Sequence, residues 1–197
     1  MIKSKKDYLD YLEADRIALG KPHYSLFVMI KEKIKREHIW EFQRLLRKTE
    51  YYNNVVSKNY FLGKILYIYF KIKLKNLSLK LGFTIPENVF GPGLAILHYG
   101  AIVVNAKAKV GANCRIHVCT NIGESGGVVG APQIGDNVYI GPGAKIYGSI
   151  YIANNSVIAA NAAVNKSIVE EGMLIAGVPA KVIKPIEVKN IIKHLDK

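Results

Sequence analysis

The chain has 197 residues, half of them apolar, which suffices for one domain or one and a half with a substantial core. Its formal charge is +13, and the excess is concentrated at the front: residues 1–85 carry 18 Lys/Arg against 8 Asp/Glu (+10), and residues 86–197 carry 10 against 7 (+3). No run of eighteen apolar residues argues for a transmembrane helix, the first eight residues lack the apolar core of a signal peptide, and no nucleic-acid-binding motif accompanies the charge; a cytoplasmic protein is expected.

In chain order, residues 5–19 and 24–48 read as helices. Leu9, Leu12 and Ile17, then Leu26, Met29, Ile30 and Ile34, recur at three and four, with a break at Gly20-Lys21-Pro22. Trp40, Phe42, Leu45 and Leu46 extend the second apolar face to about Lys48. Tyr51 to Asn54 reads as a loop. Phe61 to Leu81 alternates locally like a strand, but its length and spacing favour a helix, rich in Tyr and Lys, ended by Gly82. Such a helix packs on the remainder of the chain or a sister subunit, or lies on a membrane surface.

From Val104 to Val164 every sixth residue is Val or Ile: Val104, Val110, Ile116, Ile122, Val128, Ile134, Ile140, Ile146, Ile152, Ile158, Val164. A β-sandwich with regular turns requires no such fixed period. A hexapeptide repeat does, winding as a three-sided parallel β-helix with eighteen residues per coil. Residues eighteen apart are then expected to stack, with Ile116, Ile134 and Ile152 in one column. The slot four after the aliphatic is mostly small (Ala108, Cys114, Thr120, Gly126, Ala144, Ser156, Ala162), as a narrow prism needs, and the slot just after it is often Gly (Gly111, Gly123, Gly135, Gly141), as a tight corner needs. Gly123 to Pro132 keeps the phase, but its glycines predict a projecting excursion. After Val164 the repeat decays, and Ile186 to Leu195 reads as a short amphipathic helix. Cys114 and Cys119 form neither a disulfide framework nor a zinc set and are expected to be buried thiols.

His98 occupies the in-phase slot before Val104, or else faces outward if Ile96 and Ile102 set the register. On either reading it lies near His117, one coil on. Two histidines suit a base and its helper; nothing completes a metal set, and no metal is expected.

Residues 83–183 resemble the left-handed β-helix acyltransferases, most closely the serine acetyltransferase branch, which includes homologues from capsule and exopolysaccharide clusters. The resemblance is carried by Phe90-Gly91-Pro92-Gly93 through His98-Tyr99-Gly100-Ala101-Ile102-Val103-Val104, by Ile134-Gly135-Asp136-Asn137-Val138-Tyr139-Ile140-Gly141-Pro142-Gly143-Ala144-Lys145-Ile146, and by Ala176-Gly177-Val178-Pro179-Ala180-Lys181, and it covers half the chain. It implies left-handed winding, which the period does not fix and which opposes the usual crossover rule. It divides the chain into an N-terminal helical region (1–82), the β-helix (83–183) and a tail (184–197).

The resemblance further implies an acetyl-CoA-dependent O-acetyltransferase, working as a homotrimer with active sites between subunits; assembly into a dimer of trimers is left open. His98 falls on the family's general base, with His117 as its neighbour. CoA positions fall on Pro142, Gly143, Ala144, Ala160 and Asn161, an oxyanion-binding N–H near Gly126, and Lys181 and Lys184 face the CoA phosphates. Tyr99, Asn121 and Glu124 are candidate acceptor contacts. His117, Asn121, Glu87 and a backbone carbonyl are candidates for orienting His98. Four departures stand out. Phe83 replaces the family's orienting aspartate, Leu97 an acidic residue, and Gly130-Ala131 an Arg-His pair; an aspartate of the helical region aligns near Lys21. These departures favour a sugar hydroxyl of a surface polysaccharide or its precursor as acceptor, with serine as the alternative and a non-catalytic trimeric scaffold as a third reading.

Overall fold

The computed structural model describes residues 1–23, 37–127 and 129–196. Among the described residues, three helices of more than one turn precede the β-structure: α1 (Lys5–Ala18), α2 (His38–Tyr51) and α3 (Phe61–Leu81). Ser4 caps α1, its hydroxyl accepting from the Asp7 N–H at 3.0 Å. The helix expected over 24–36 lies outside the described residues. Tyr51 to Asn54 is not a loop: α2 runs on as a π-helical turn, Tyr52–Val56, and a single α-turn, Ser57–Asn59. The side chains of Asn54 and Asn88 bond to each other from this turn to the start of the β-structure, which gives the segment a reason to stay wound. Gly82 ends α3 in the left-handed region at φ 78°, its N–H returning to the Ser78 carbonyl.

Fourteen short strands follow among the described residues. Those up to β13 pair in parallel and form three flat faces: β1 (Phe83–Thr84), β3 (Ile102–Val104), β6 (Thr120–Gly123), β9 (Lys145–Tyr147) and β12 (Ala163–Val164) on one; β4 (Lys109–Val110), β7 (Gln133–Ile134) and β10 (Tyr151–Ile152) on the second; β2 (Ala95–Ile96), β5 (Arg115–Ile116), β8 (Tyr139–Ile140), β11 (Val157–Ile158) and β13 (Met173–Gly177) on the third. The inward aliphatics make three columns, Val104-Ile122-Ile146-Val164, Val110-Ile134-Ile152 and Ile96-Ile116-Ile140-Ile158-Ile175, and all are at most 4% exposed. β14 (Ala180–Pro185) folds back antiparallel on β13 and closes the third face.

The columns correct the expected stacking. Ile134 does lie over Ile152, but Ile116 pairs with Ile140, not Ile134, and Ile122 with Ile146. The offset there is twenty-four because the described residues between Gly123 and Gln133 supply no strand to a face, and Ile134 takes the face that the regular count assigns to Val128. Val128 itself lies outside the described residues. An excursion of one hexad leaves the phase untouched while shifting every later residue by one face. Gly126 accordingly does not fill a small inward slot but is exposed with open space around it, whereas Ala108, Cys114, Thr120, Ala144, Ser156 and Ala162 are buried as expected.

Corners explain the glycines and asparagines. A Cβ on Gly111 meets the Gly135 carbonyl carbon at 2.7 Å, and one on Gly141 meets the Ala160 nitrogen at 2.7 Å, so adjacent coils approach too closely there for a side chain. At another corner Asn113, Asn137 and Asn155 adopt φ of 56°, 57° and 59°, and their side-chain amides form a ladder at 2.9 Å per step. Cys119 also sits at positive φ (62°) and is exposed, against expectation, because the corner turns its side chain outward. Cys114 is buried, and burial pushes its thiol well above the usual range. The tail is two 3₁₀ turns, Val188–Asn190 and Lys193–Asp196, rather than one helix; Val188 and Ile192 still pack beside Val157.

The first coil has no coil above it, and its backbone groups bond to the helices instead. Gln43, Arg47 and Glu50 lie on one face of α2 at i, i+4 and i+7. Gln43 acts as a strand would: its amide donates to the Leu94 carbonyl (2.6 Å) and accepts from the Ile96 N–H (3.1 Å). Arg47 donates to the carbonyls of Phe90 (2.8 Å) and Gly91 (2.6 Å), Asp15 accepts from the Leu94 N–H (2.8 Å), and Glu50 accepts from the Asn88 N–H (2.7 Å). The charges pair among themselves, Arg47 reaching Asp15 at 2.8 Å and Glu50 at 3.1 Å, all three essentially buried. Burial pushes Glu50 up although Arg47 pulls it down; burial also acts to lower Arg47, but the two carboxylates outweigh it and raise it. Arg47→Met should therefore cost about 3–5 kcal/mol in urea unfolding, since two carboxylates stay buried without their cation. Arg47→Lys should recover only part of this, because an ammonium lacks the guanidinium fork.

Candidate functional site

His98 sits on a corner that the chain has enlarged. From Ile96 to Val104 is eight residues instead of six, yet both point inward, and the pairing offset falls from twenty at Ile96–Ile116 to eighteen at Val104–Ile122. The register is therefore set by Ile96, and His98 faces outward. The extra residues are held from above: the Gly100 N–H donates to the Leu81 carbonyl (3.0 Å) and the Ile102 N–H to that of Gly82 (3.2 Å). Gly100 has φ 117°, and a Cβ there would meet Val118 Cγ2 at 2.6 Å. The end of α3 and a glycine that admits no side chain thus fix the bulge that carries His98 and Tyr99, both exposed.

The structure brings the two histidines together, with ring centroids 5.8 Å apart and planes at 45°. Tyr139 flanks His117 on the other side at 5.1 Å. His117 is half-buried, and its Nε2 finds no partner among the described residues. Burial, then the nearness of His98 and Arg115, lowers its pKa, so its ring stays neutral at pH values where an ordinary histidine is charged. Burial and Arg115 lower His194 in the same way. Glu87, a candidate for orienting His98, is engaged elsewhere, accepting from Asn53 (2.9 Å) and Tyr67 (3.3 Å) with Lys71 at 3.4 Å. Asn121 is half-buried on β6, and its N–H donates to the Ala144 carbonyl. Of the candidates for orienting His98, His117 is the one in ring contact with it.

Beside this corner lies a cavity of about 260 Å³ lined by Leu19, Lys21, Glu37, Ile39, Trp40, Ile96, Leu97 and Tyr99. Leu97 and Tyr99 bracket His98 in sequence, and Lys21 and Glu37 form an ion pair at its edge. Phe83 is no part of this wall: it is buried against Phe42, ring centroids 5.1 Å apart.

The remaining sequence-predicted residues lie away from this corner. Pro142, Ala160 and Asn161 are exposed, Gly143 half-exposed and Ala144 buried. The Gly143 N–H donates to Val118 and that of Asn161 to Pro142, linking successive coils. The exposed column of small residues leaves room for an extended chain to lie along it. Lys181 and Lys184 are exposed on β14. Glu124 pairs with Lys107 at 2.8 Å at the base of the excursion. No cluster of potential metal ligands occurs among the described residues. Sequence reasoning missed Tyr139, Arg115 and Glu37. Tyr139 was hidden because the eighteen-residue count puts the wrong strand over β5.

Residues 131–166 match the family model described as bacterial transferase hexapeptide (six repeats). A serine acetyltransferase of Mycobacterium tuberculosis is 40% identical over 100 residues, which are 50% of this chain and 43% of that protein, and one from Staphylococcus aureus is 34% identical over 101 residues, 50% and 47% of the two chains. The chain thus matches less than half the length of these curated relatives. Among solved structures, serine acetyltransferase from Brucella abortus in complex with coenzyme A superposes with a TM-score of 0.72 at 27% identity, covering 92% of this chain and 70% of that one, and the Neisseria gonorrhoeae enzyme with 0.68 at 26%, covering 92% and 67%.

Because His117 and His194 have folded pKa values below their unfolded ones, the unfolded chain binds more protons below about pH 6.5, and stability falls as pH drops through that range. The urea midpoint is expected to fall between neutral pH and the folded-state values, and to fall less in a His117→Gln/His194→Gln double variant. The chain is built on a hexapeptide-repeat left-handed β-helix and is similar to the serine acetyltransferases, in sequence over half its length and in fold over most of it.

Proposed function

We propose that the chain is an acetyl-CoA-dependent O-acetyltransferase with serine as its acceptor. The observation that carries this reading is an exposed imidazole on a braced corner, beside a cavity that offers one cation and one anion. A desolvated amino acid needs a partner for each charged end, and Lys21 can meet its carboxylate and Glu37 its ammonium. The names of the similar proteins point to the same acceptor. The sugar acceptor favoured by the sequence finds no support among them. It keeps one observation in its favour, the loss of the family's acidic and Arg-His positions at Phe83, Leu97 and Gly130-Ala131.

In the reaction, His98 takes the proton of the acceptor hydroxyl as its oxygen attacks the thioester carbonyl carbon. The tetrahedral intermediate collapses with cleavage of the C–S bond, and the imidazolium returns the proton to the leaving thiolate. The products are the O-acetyl ester and free CoA, and neither cysteine forms a bond. The neutral ring of His117 packs beside His98 without opposing the positive charge that His98 acquires. Acetyl-CoA is a substrate here, and Pro142, Gly143, Ala160 and Asn161 are assigned to its pantetheine arm, Lys181 and Lys184 to its phosphates. Gly126 lies on a projecting excursion, a position suited to reaching the reacting carbonyl from a neighbouring copy in a homotrimer.

Thiol release from acetyl-CoA, with serine or a panel of sugars offered, tests the reading. Serine should support turnover, and His98→Ala should reduce kcat by about 10²–10⁴-fold without changing the oligomeric mass. Lys21→Ala and Glu37→Ala should raise KM for serine. Turnover with a sugar and none with serine would replace the acceptor; turnover with neither would point to a scaffold.

A further inference from the structure

The long helix α3 is apolar on two opposite faces. One face, Gly63, Tyr67, Phe70, Leu74, Leu77 and Leu81, turns toward the protein and is buried or half-buried. The other is Phe61, Ile65, Ile68 and Ile72 at the same three- and four-residue spacing, with Leu79 two turns further on past Lys75 and Asn76, and these are 78, 52, 55, 56 and 73% exposed. Leu62 and Tyr69 widen this stripe, at 70 and 48% exposed. The stripe is continuous over three turns, from Phe61 to Ile72, and an exposed apolar face of that length on a folded protein calls for a covering partner.

The charges beside the stripe indicate which partner. Lys64, Lys71 and Lys75 lie along one edge and Lys73 and Lys80 along the other; all are exposed, and the helix contains no Asp or Glu. Lys73 reaches over the Tyr69 ring at 4.6 Å, an arrangement of stem on apolar surface and charge at the margin. Against a second copy of the same helix, five lysines would face five lysines, with Glu87 beside Lys71 as the one acid paired to them among the described residues. An apolar stripe with cations on both margins instead matches a bilayer surface, with side chains among the acyl chains and ammonium groups at anionic phosphates. The helix is 21 residues, and no helix among the described residues is long and apolar enough to cross a membrane, so α3 would lie in the surface plane.

We infer that the outer face of α3 docks the protein on an anionic lipid bilayer. This inference is independent of the acetyl acceptor. Co-sedimentation of the full chain with vesicles tests it. Phosphatidylcholine vesicles containing phosphatidylglycerol should retain the protein, and pure phosphatidylcholine vesicles should not. Lys64→Gln/Lys75→Gln should lower the partition coefficient on the order of thirtyfold. Ile65→Ser/Ile68→Ser should abolish retention while thiol release in solution and oligomeric mass stay unchanged. Equal retention on both vesicle types, or none on either, would overturn the inference. So would a fall in oligomeric mass in the serine variant, which would assign the face to another copy of the chain.

Discussion

A parallel β-helix has an exposed backbone at each end, and the structure depends on how its first coil is finished. Here the task falls to the face of α2 that carries Gln43, Arg47 and Glu50, joined by Asp15 from α1. Unpaired, the carbonyls and N–H groups between Asn88 and Ile96 would be buried without partners, at a cost of about 1–3 kcal/mol each. Burying three charges to satisfy them is not an efficient source of stability, because desolvation offsets much of the attraction. What the arrangement supplies is register: each side chain meets one particular backbone group, so the helices sit on the first coil in one position.

That position carries through to the site. The end of α3 lies against the enlarged corner, and its last carbonyls hold Gly100 and Ile102. α1 and the start of α2 supply Leu19, Ile39 and Trp40 to the cavity beside His98. The imidazole is therefore borne by the prism, while much of the wall of the cavity beside it comes from the helical part. A change in the helices can reshape that cavity without moving His98.

Much of this was legible in the sequence. Every described Val and Ile of the hexad from Val104 to Val164 points into the core, though Val138 and Ile150, four after the repeat position, join them there, and glycine marked the tight corners. It did not tell which coil each residue occupies. A detour of six residues is invisible to a period of six, so Ile116 was assigned to the column of Ile134 when it belongs to that of Ile140. His98 and His117 were still brought together because both precede the detour, whereas Tyr139 follows it and was missed. The tail kept its apolar spacing but not its helix, since Val188 and Ile192 can reach the β-helix from 3₁₀ turns. Buried Arg47 was hidden by its type, because a lysine- and arginine-rich segment reads as solvated; its spacing with Gln43 and Glu50 was the available clue.

The far end is finished differently, by the antiparallel return of β14 on β13. With charged side chains over one end and a hairpin over the other, neither terminus of the prism readily accepts a strand from another molecule. Growth along the axis into a fibre is thereby discouraged. The flanks are not closed in this way, and the exposed small residues Pro142, Ala160 and Asn161 lie there, so the end-closures leave side-by-side contact as the route open to any self-association.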